Sequence, residues 1–189
     1  AHCGEPGLAW LRSLPDDYMT KKQTVSYAGL FDDVGAEAWY APAVDYVKYG
    51  RLMYGTGNNL FQPDAQMTRA MFAQVLYALE GSPSVRGLSC PFTDVGGSWY
   101  TDAVIWAYNA GVVAGVSATQ FAPNEVLTRE QMVTMLYGYA GREETLSGSD
   151  GALASYQDQA SVSSWAREAM AWAVSTGVIT GTSTTTLSP

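Results

Sequence analysis

The sequence returns to itself at an interval of about 60 residues, and that period constrains the fold more than any single residue does. Phe31-Asp32-Asp33-Val34 recurs as Phe92-Thr93-Asp94-Val95 and more faintly as Tyr156-Gln157-Asp158. A constant offset then relates Trp39 to Trp99, Tyr40 to Tyr100, Gly55 to Gly115, Phe61 to Phe121, Pro63 to Pro123 and Thr68-Arg69 to Thr128-Arg129. The third copy continues through Trp165, Ala169, Trp172, Gly177 and Gly181 to Leu187-Ser188-Pro189, where the others read Phe-x-Pro, and stops before a Thr-Arg of its own. A unit this small buries too little apolar surface alone, so the copies must share a core, and about three are the usual minimum.

Inside each copy the apolar residues fall at helical spacing. Ala43, Tyr46, Val47 and Gly50 lie at i, i+3, i+4 and i+7, as do Ala103, Trp106, Ala107 and Ala110, and Ala169, Trp172, Ala173 and Thr176. The small residues in this first helix suit close approach by a partner backbone. A second helix is predicted after Thr68-Arg69 and Thr128-Arg129, with stripes Phe72, Val75, Leu76, Leu79 and Met132, Met135, Leu136, Tyr139. Thr68 and Thr128 suit N-caps, Thr128 to Gln131 fits a capping box, and Gly81 and Gly141 supply stops. Between the helices, Gly55 to Pro63 and Gly115 to Pro123 read as turns folded around one buried Phe, with short β-bridges at most. Segments 82–91 and 142–155, rich in Ser, Gly and Pro, read as linkers rather than core. The fold class is therefore all-α: tandem helix-loop-helix repeats, the third incomplete.

Composition narrows the function classes. A formal charge of −8, with Lys and Arg scattered, gives no basic stripe for nucleic acid. No apolar run approaches the roughly 20 residues of a membrane span, so a soluble chain is expected. One His and two Cys leave too few soft ligands for a zinc site, and no cofactor is expected. Cys3 and Cys90 read as free thiols or as one disulfide tying the N-terminal segment to a linker. Residues 1–15 lack the basic start and apolar core of a signal peptide, which suits a mature secreted chain or an excised fragment.

The order Phe-x-Asp-Val, Trp-Tyr, helix, Gly-x5-Phe-x-Pro, Thr-Arg, helix resembles the S-layer homology module, over about residues 31–189. The modules are 31–81, 92–141 and a truncated 156–189, preceded by an N-terminal segment 1–30. The resemblance implies a three-pronged spindle with a pseudo-threefold axis and binding grooves between neighbouring prongs. It also implies a bacterial, extracellular surface anchor that holds a secondary cell-wall polysaccharide, often one bearing acidic pyruvyl ketals. The chain departs from the family's Thr-Arg-Ala-Glu at Thr68-Arg69-Ala70-Met71 and Thr128-Arg129-Glu130-Gln131, and Trp165-Ala166 replaces Trp-Tyr. At least one groove is therefore expected to be altered or lost.

Arg69 and Arg129, at equivalent helix starts, are the candidates for holding an acidic sugar group, each with exposed backbone N–H groups beside it. Their alternative is an ion pair with Asp33 or Asp94 that locks repeats together. Asp33, Asp94 and Asp158 read as caps of the first helix, or as partners for sugar hydroxyls or for the arginines. Trp39, Trp99 and Trp165, with the adjacent Tyr40 and Tyr100, read as sugar-stacking surfaces or as core anchors. No acidic pair stands in a glycosidase-like motif, and His2-Cys3, adjacent in the chain, does not make a nucleophile with its base. The expected protein is a non-catalytic wall-anchoring module. The alternatives are a scaffold without glycan, or an accessory portion of a secreted hydrolase. Segment 8–30 is a candidate to fill the space of the third repeat's missing second helix.

Overall fold

The computed structural model describes residues 30–142, 145–149 and 151–189. The expectations for Cys3, for His2 and for segment 8–30 lie outside these residues. Two compact units are present, one ending at Ala65 and the other running from Gln66 to Pro189. Among the described residues the regular structure is helical, with only the isolated bridges Gly57 to Leu60 and Thr68 to Val126.

The first unit carries α1 (Ala41–Tyr49), with Pro42 in its opening turn, where a missing N–H costs nothing. α1 buries Ala41, Val44 and Asp45. The predicted stripe is not the buried one here: Ala43 and Gly50 are exposed, and Tyr46 and Val47 are only partly covered.

The second unit carries α2 (Arg69–Leu79), α3 (Thr101–Asn109), α4 (Arg129–Ala140) and α5 (Arg167–Ser175), with 3-10 turns at Gln159–Ser161 and Ser164–Ala166. Here the first three positions of each stripe behave as predicted, since Ala103, Trp106, Ala107, Ala169, Trp172 and Ala173 are all buried, whereas Ala110 is only partly covered and Thr176 is exposed. In this unit each first helix packs on the second helix of the preceding repeat, α3 on α2 and α5 on α4. One core therefore gathers Phe72, Leu76, Tyr77, Trp106, Phe121 and Met135. The other gathers Val133, Leu153, Met170, Trp172, Ile179 and Leu187. α4 serves both, with Met135 in the first and Val133 in the second, and so needs apolar residues on two faces.

The termini follow local chemistry. Thr128 Oγ1 accepts from Gln131 N (3.2 Å) while Gln131 Oε1 accepts from Thr128 N (3.2 Å), completing the capping box. Thr68 accepts from Met71 N at 3.3 Å without the reciprocal bond, because Met71 has no acceptor of that reach. Gly81, at φ +81°, follows the end of α2 in the left-handed conformation that glycine adopts without penalty. Gly141 closes α4 at φ −67°, so its role is not conformational.

The supposed linkers are exposed over most of their described length, yet each sends a few residues to the core. Leu153 is 1% exposed, Leu146 packs beside it, and Tyr137 Oη donates to Leu146 O (3.2 Å). Val85 and Cys90 lie against the first core, Tyr77 Oη donates to Pro83 O (2.7 Å), and Cys90 is a free thiol. A Ser-rich, Gly-rich composition hid a few well-placed apolar residues.

Candidate functional site: the repeat loop and its arginine joint

Each repeat folds its middle loop back onto its opening motif by the same bonds. Asp33 accepts from Phe61 N (2.8 Å) and Gln62 N (2.7 Å). Asp94 does so from Phe121 N (3.0 Å) and Ala122 N (2.8 Å), and Asp158 from Leu187 N (2.9 Å) and Ser188 N (2.8 Å). The residue before each Asp adds a backbone bond of 2.9 Å to the carbonyl of Asn59, Thr119 or Thr185. Gln62, Ala122 and Ser188 take positive φ, which aims two successive N–H groups at one carboxylate. Beneath the loop a Cβ on Gly55, Gly115 or Gly181 would come within 2.6, 2.5 or 2.6 Å of the ring of Phe31, Phe92 or Tyr156. The faint third motif therefore does the same work as the other two.

The three aspartates do not cap the first helix, since α1, α3 and α5 have no side-chain cap. Their oxygens are committed to the loop instead. The Phe61 N–H holds the Asp33 carboxyl below its ordinary range, and the N–H groups of Leu187 and Ser188 do the same for Asp158. For Asp94, burial pushes upward, but the N–H groups of Phe121 and Ala122 together with the charge of Arg69 prevail and lower it.

The arginines reach the next repeat rather than their own. Arg69, 6% exposed, donates from Nε to Phe121 O (2.8 Å) and from Nη2 to Ala114 O (2.9 Å), and its guanidinium lies 4.7 Å from the Phe121 ring centroid. The helix start is used too: Arg69 N donates to Glu125 O and Ala70 N to Pro123 O, each at 3.0 Å. Arg129 repeats the side-chain fork, from Nε to Leu187 O (3.1 Å) and from Nη2 to Thr180 O (2.6 Å). Backbone carbonyls, not the Asp carboxylates, are thus the arginines' hydrogen-bond partners. Burial pulls the Arg69 pKa down, against the charges of Glu125 and Asp94. Arg129 is less deeply placed.

The tryptophans stand outside this lock. Trp39, Trp99 and Trp165 are 90%, 63% and 56% exposed, so they are not core anchors. Tyr40 and Tyr100, at the N-caps of α1 and α3, hold Trp39 and Trp99 edge-on at 5.6 and 5.1 Å between centroids. Ala166 provides no such ring for Trp165.

Several contacts had no sequence signal. Glu130 accepts from Ser163 N (2.9 Å) and Ser163 Oγ (2.8 Å), tying α4 to the third repeat. Arg142 binds Glu80 through two bonds (2.9 and 2.7 Å), Tyr139 Oη adds a third (3.0 Å), and Arg142 also lies 5.4 Å from the Trp106 ring centroid. Neither pair occupies matching positions in two repeats, so the period could not reveal them.

The architecture is that of a helical repeat scaffold in which an Arg from one module clamps the loop of the next. Its sequence matches the S-layer homology domain over residues 30–73, 91–133 and 155–189, and the chain belongs to that family. It is 32% identical over 154 residues to an endoglucanase of Bacillus sp. (strain KSM-635), covering 78% of this chain and 16% of that protein. With the surface-layer 125 kDa protein of Lysinibacillus sphaericus it shares 32% identity over 162 residues, 83% of this chain and 13% of that one. Exoglucanase XynX of Acetivibrio thermocellus is 27% identical over 167 residues, 84% of this chain and 14% of the enzyme. The chain thus spans about a sixth or less of these relatives.

Proposed function

We propose that this chain is a non-catalytic anchoring module that attaches a larger protein to the bacterial cell surface by binding a wall polysaccharide. Family membership supports the anchoring role, and relatives named as surface-layer proteins and as polysaccharide-degrading enzymes share the repeat region with it. The observation that carries the glycan reading is the exposed tryptophan at the same point of every repeat, two of the three backed by a tyrosine. A flat, exposed, partly immobilised ring suits the apolar face of a sugar. Tyr40 and Tyr100 position two of these rings, and Arg129, less buried than Arg69, is the better placed to meet an acidic substituent such as a pyruvyl ketal. Asp33, Asp94 and Asp158 shape the middle loop of each repeat. The pseudo-threefold spindle with its inter-repeat grooves belongs to the same proposal, and the twice-used arginine joint supports it.

Co-sedimentation with purified cell-wall sacculi tests the reading, run before and after chemical removal of the secondary polysaccharide. Binding to intact walls and loss on stripped walls is expected. Equal sedimentation with both would contradict it.

A second reading, a scaffold without glycan, is favoured by the capture of both Arg forks on internal carbonyls. It predicts no retention on either wall preparation.

A further inference from the structure

The exposed tryptophans of the second unit are held by different means. Trp99 is supported from within its own repeat: Tyr100 meets the ring edge-on, and Thr101 Oγ1 ties the preceding turn by accepting from Ser98 N (3.0 Å) and donating to Val95 O. The third repeat has Ala166 and Arg167 at those two positions. Ala166 offers no ring, and Arg167 reaches Gln159 O (3.4 Å) instead of the turn.

A substitute comes from α4. Trp165 is the middle residue of the 3-10 turn Ser164–Ala166, which packs against α4. Ser163 anchors that turn: its carbonyl accepts from Ala166 N (3.0 Å), while its N–H and its hydroxyl both donate to the Glu130 carboxylate, at 2.9 and 2.8 Å. The hydroxyl is thereby withdrawn from capping the turn. Val162 and Ala166 are buried on either side, so the backbone under Trp165 is fixed at both ends while the ring stays 56% exposed. The Trp165 indole has no aromatic or hydrogen-bond partner among the described residues, so its placement depends on that backbone.

This pair of bonds exists at one module boundary only. Helix pairing is common to α2 with α3 and α4 with α5, but the period places Ala70 where α4 has Glu130, and Gly97 where the third repeat has Ser163. Ala70 is buried without an acceptor side chain, and Gly97, at φ +71°, has no hydroxyl. Acceptor and donor therefore occur together, and they occur where the tryptophan lacks its tyrosine.

We infer that Glu130 is a positioning residue for a third sugar-stacking site centred on Trp165, doing from α4 what Tyr100 and Thr101 do for Trp99. The inference rests on the reading of the exposed tryptophans as sugar-binding surfaces. Two charge-assisted bonds to one carboxylate hold the turn more firmly than neutral acceptors would. A ring on a preset turn meets a pyranose face without first having to be ordered. The change from Trp-Tyr to Trp165-Ala166 thus leaves the chain its third stacking site, completed by a side chain of the second module.

The test labels the full chain with fluorotryptophan, assigns the resonances by single Trp→Phe variants, and titrates purified wall polysaccharide under fluorine NMR. Trp39, Trp99 and Trp165 are expected to respond in the wild-type chain. Glu130→Ala should abolish the Trp165 response at concentrations that saturate Trp39 and Trp99. Glu130→Gln, which keeps one acceptor for Ser163, should restore it in part. Ser163→Ala removes one of the two bonds without touching α4, and should weaken the Trp165 response even if Glu130→Ala disturbs the buried Trp106 and Trp172 resonances. A Trp165 response equal in wild type and all three variants, or a loss shared equally by Trp99, would overturn this inference alone. Silence of all three exposed tryptophans in the wild-type chain would overturn the anchoring reading and this inference with it.

Discussion

Arg69 and Arg129 make the same fork at different depths, and depth should decide what each is worth. Removing Arg69 strands the Phe121 and Ala114 carbonyls in a buried joint, where a hydrogen bond to a charged group contributes about 1.5–3 kcal/mol. Arg69→Ala should therefore lower the urea midpoint markedly and Arg129→Ala less so. Arg69→Lys should recover only part of the loss, because an ammonium cannot reproduce the planar fork. The loop aspartates give a pH signature. Their folded pKa values lie below the unfolded ones, so their contribution is complete above about pH 4 and is lost as pH falls through the folded values. Asp45, whose pKa is raised by burial, acts oppositely: its contribution is complete at low pH and fades as pH rises through the raised value. Asp94→Asn should flatten the acid limb of the stability curve, as read by denaturation between pH 2 and 6. An unchanged acid limb would mean that the Phe121 and Ala122 bonds contribute little.

At the scale of elements, the sequence displayed the five α-helices of the described residues and the N-caps at Thr68 and Thr128, because helical spacing and cap chemistry are local, but not the 3-10 turns. It did not display which helix meets which. Pairing of each second helix with the following repeat is a long-range outcome, so residues such as Val133, which faces that partner, lay outside the predicted stripe. The carboxylate-to-loop bonds were hidden for a similar reason: Asp33 lies before the first helix and its partners after it, and proximity in sequence suggested a cap. The exposed tryptophans were legible as a motif but not as a surface, since an aromatic in an apolar pattern reads equally as core. Leu153 offers a test of the least legible element. Leu153→Ala should destabilise by roughly 2–5 kcal/mol, the usual cost of a core leucine. If segment 142–155 were only a linker, the same change would leave the thermal midpoint where it is.

Across the whole molecule, the boundary at Ala65 separates a module's first helix and loop from its own second helix, while the joints of Arg69 and Arg129 both fall within Gln66 to Pro189. The repeat in sequence and the unit of packing are thus out of phase. A fragment of residues 66–189, which retains both cores, should fold and unfold as one cooperative transition by circular dichroism. A gradual, non-cooperative melt would show that the first unit is needed to hold the second. Titration of the chain with purified wall polysaccharide, followed by tryptophan fluorescence, tests the anchoring account most directly. Of the six tryptophans, Trp106 and Trp172 are buried and Trp10 lies outside the described residues, so comparison with a variant lacking the exposed three identifies the rings that report. The account predicts a saturable blue shift that a Trp39→Ala, Trp99→Ala, Trp165→Ala variant loses together with its binding. Undiminished binding by that folded variant, or no binding by the wild-type chain, would contradict it.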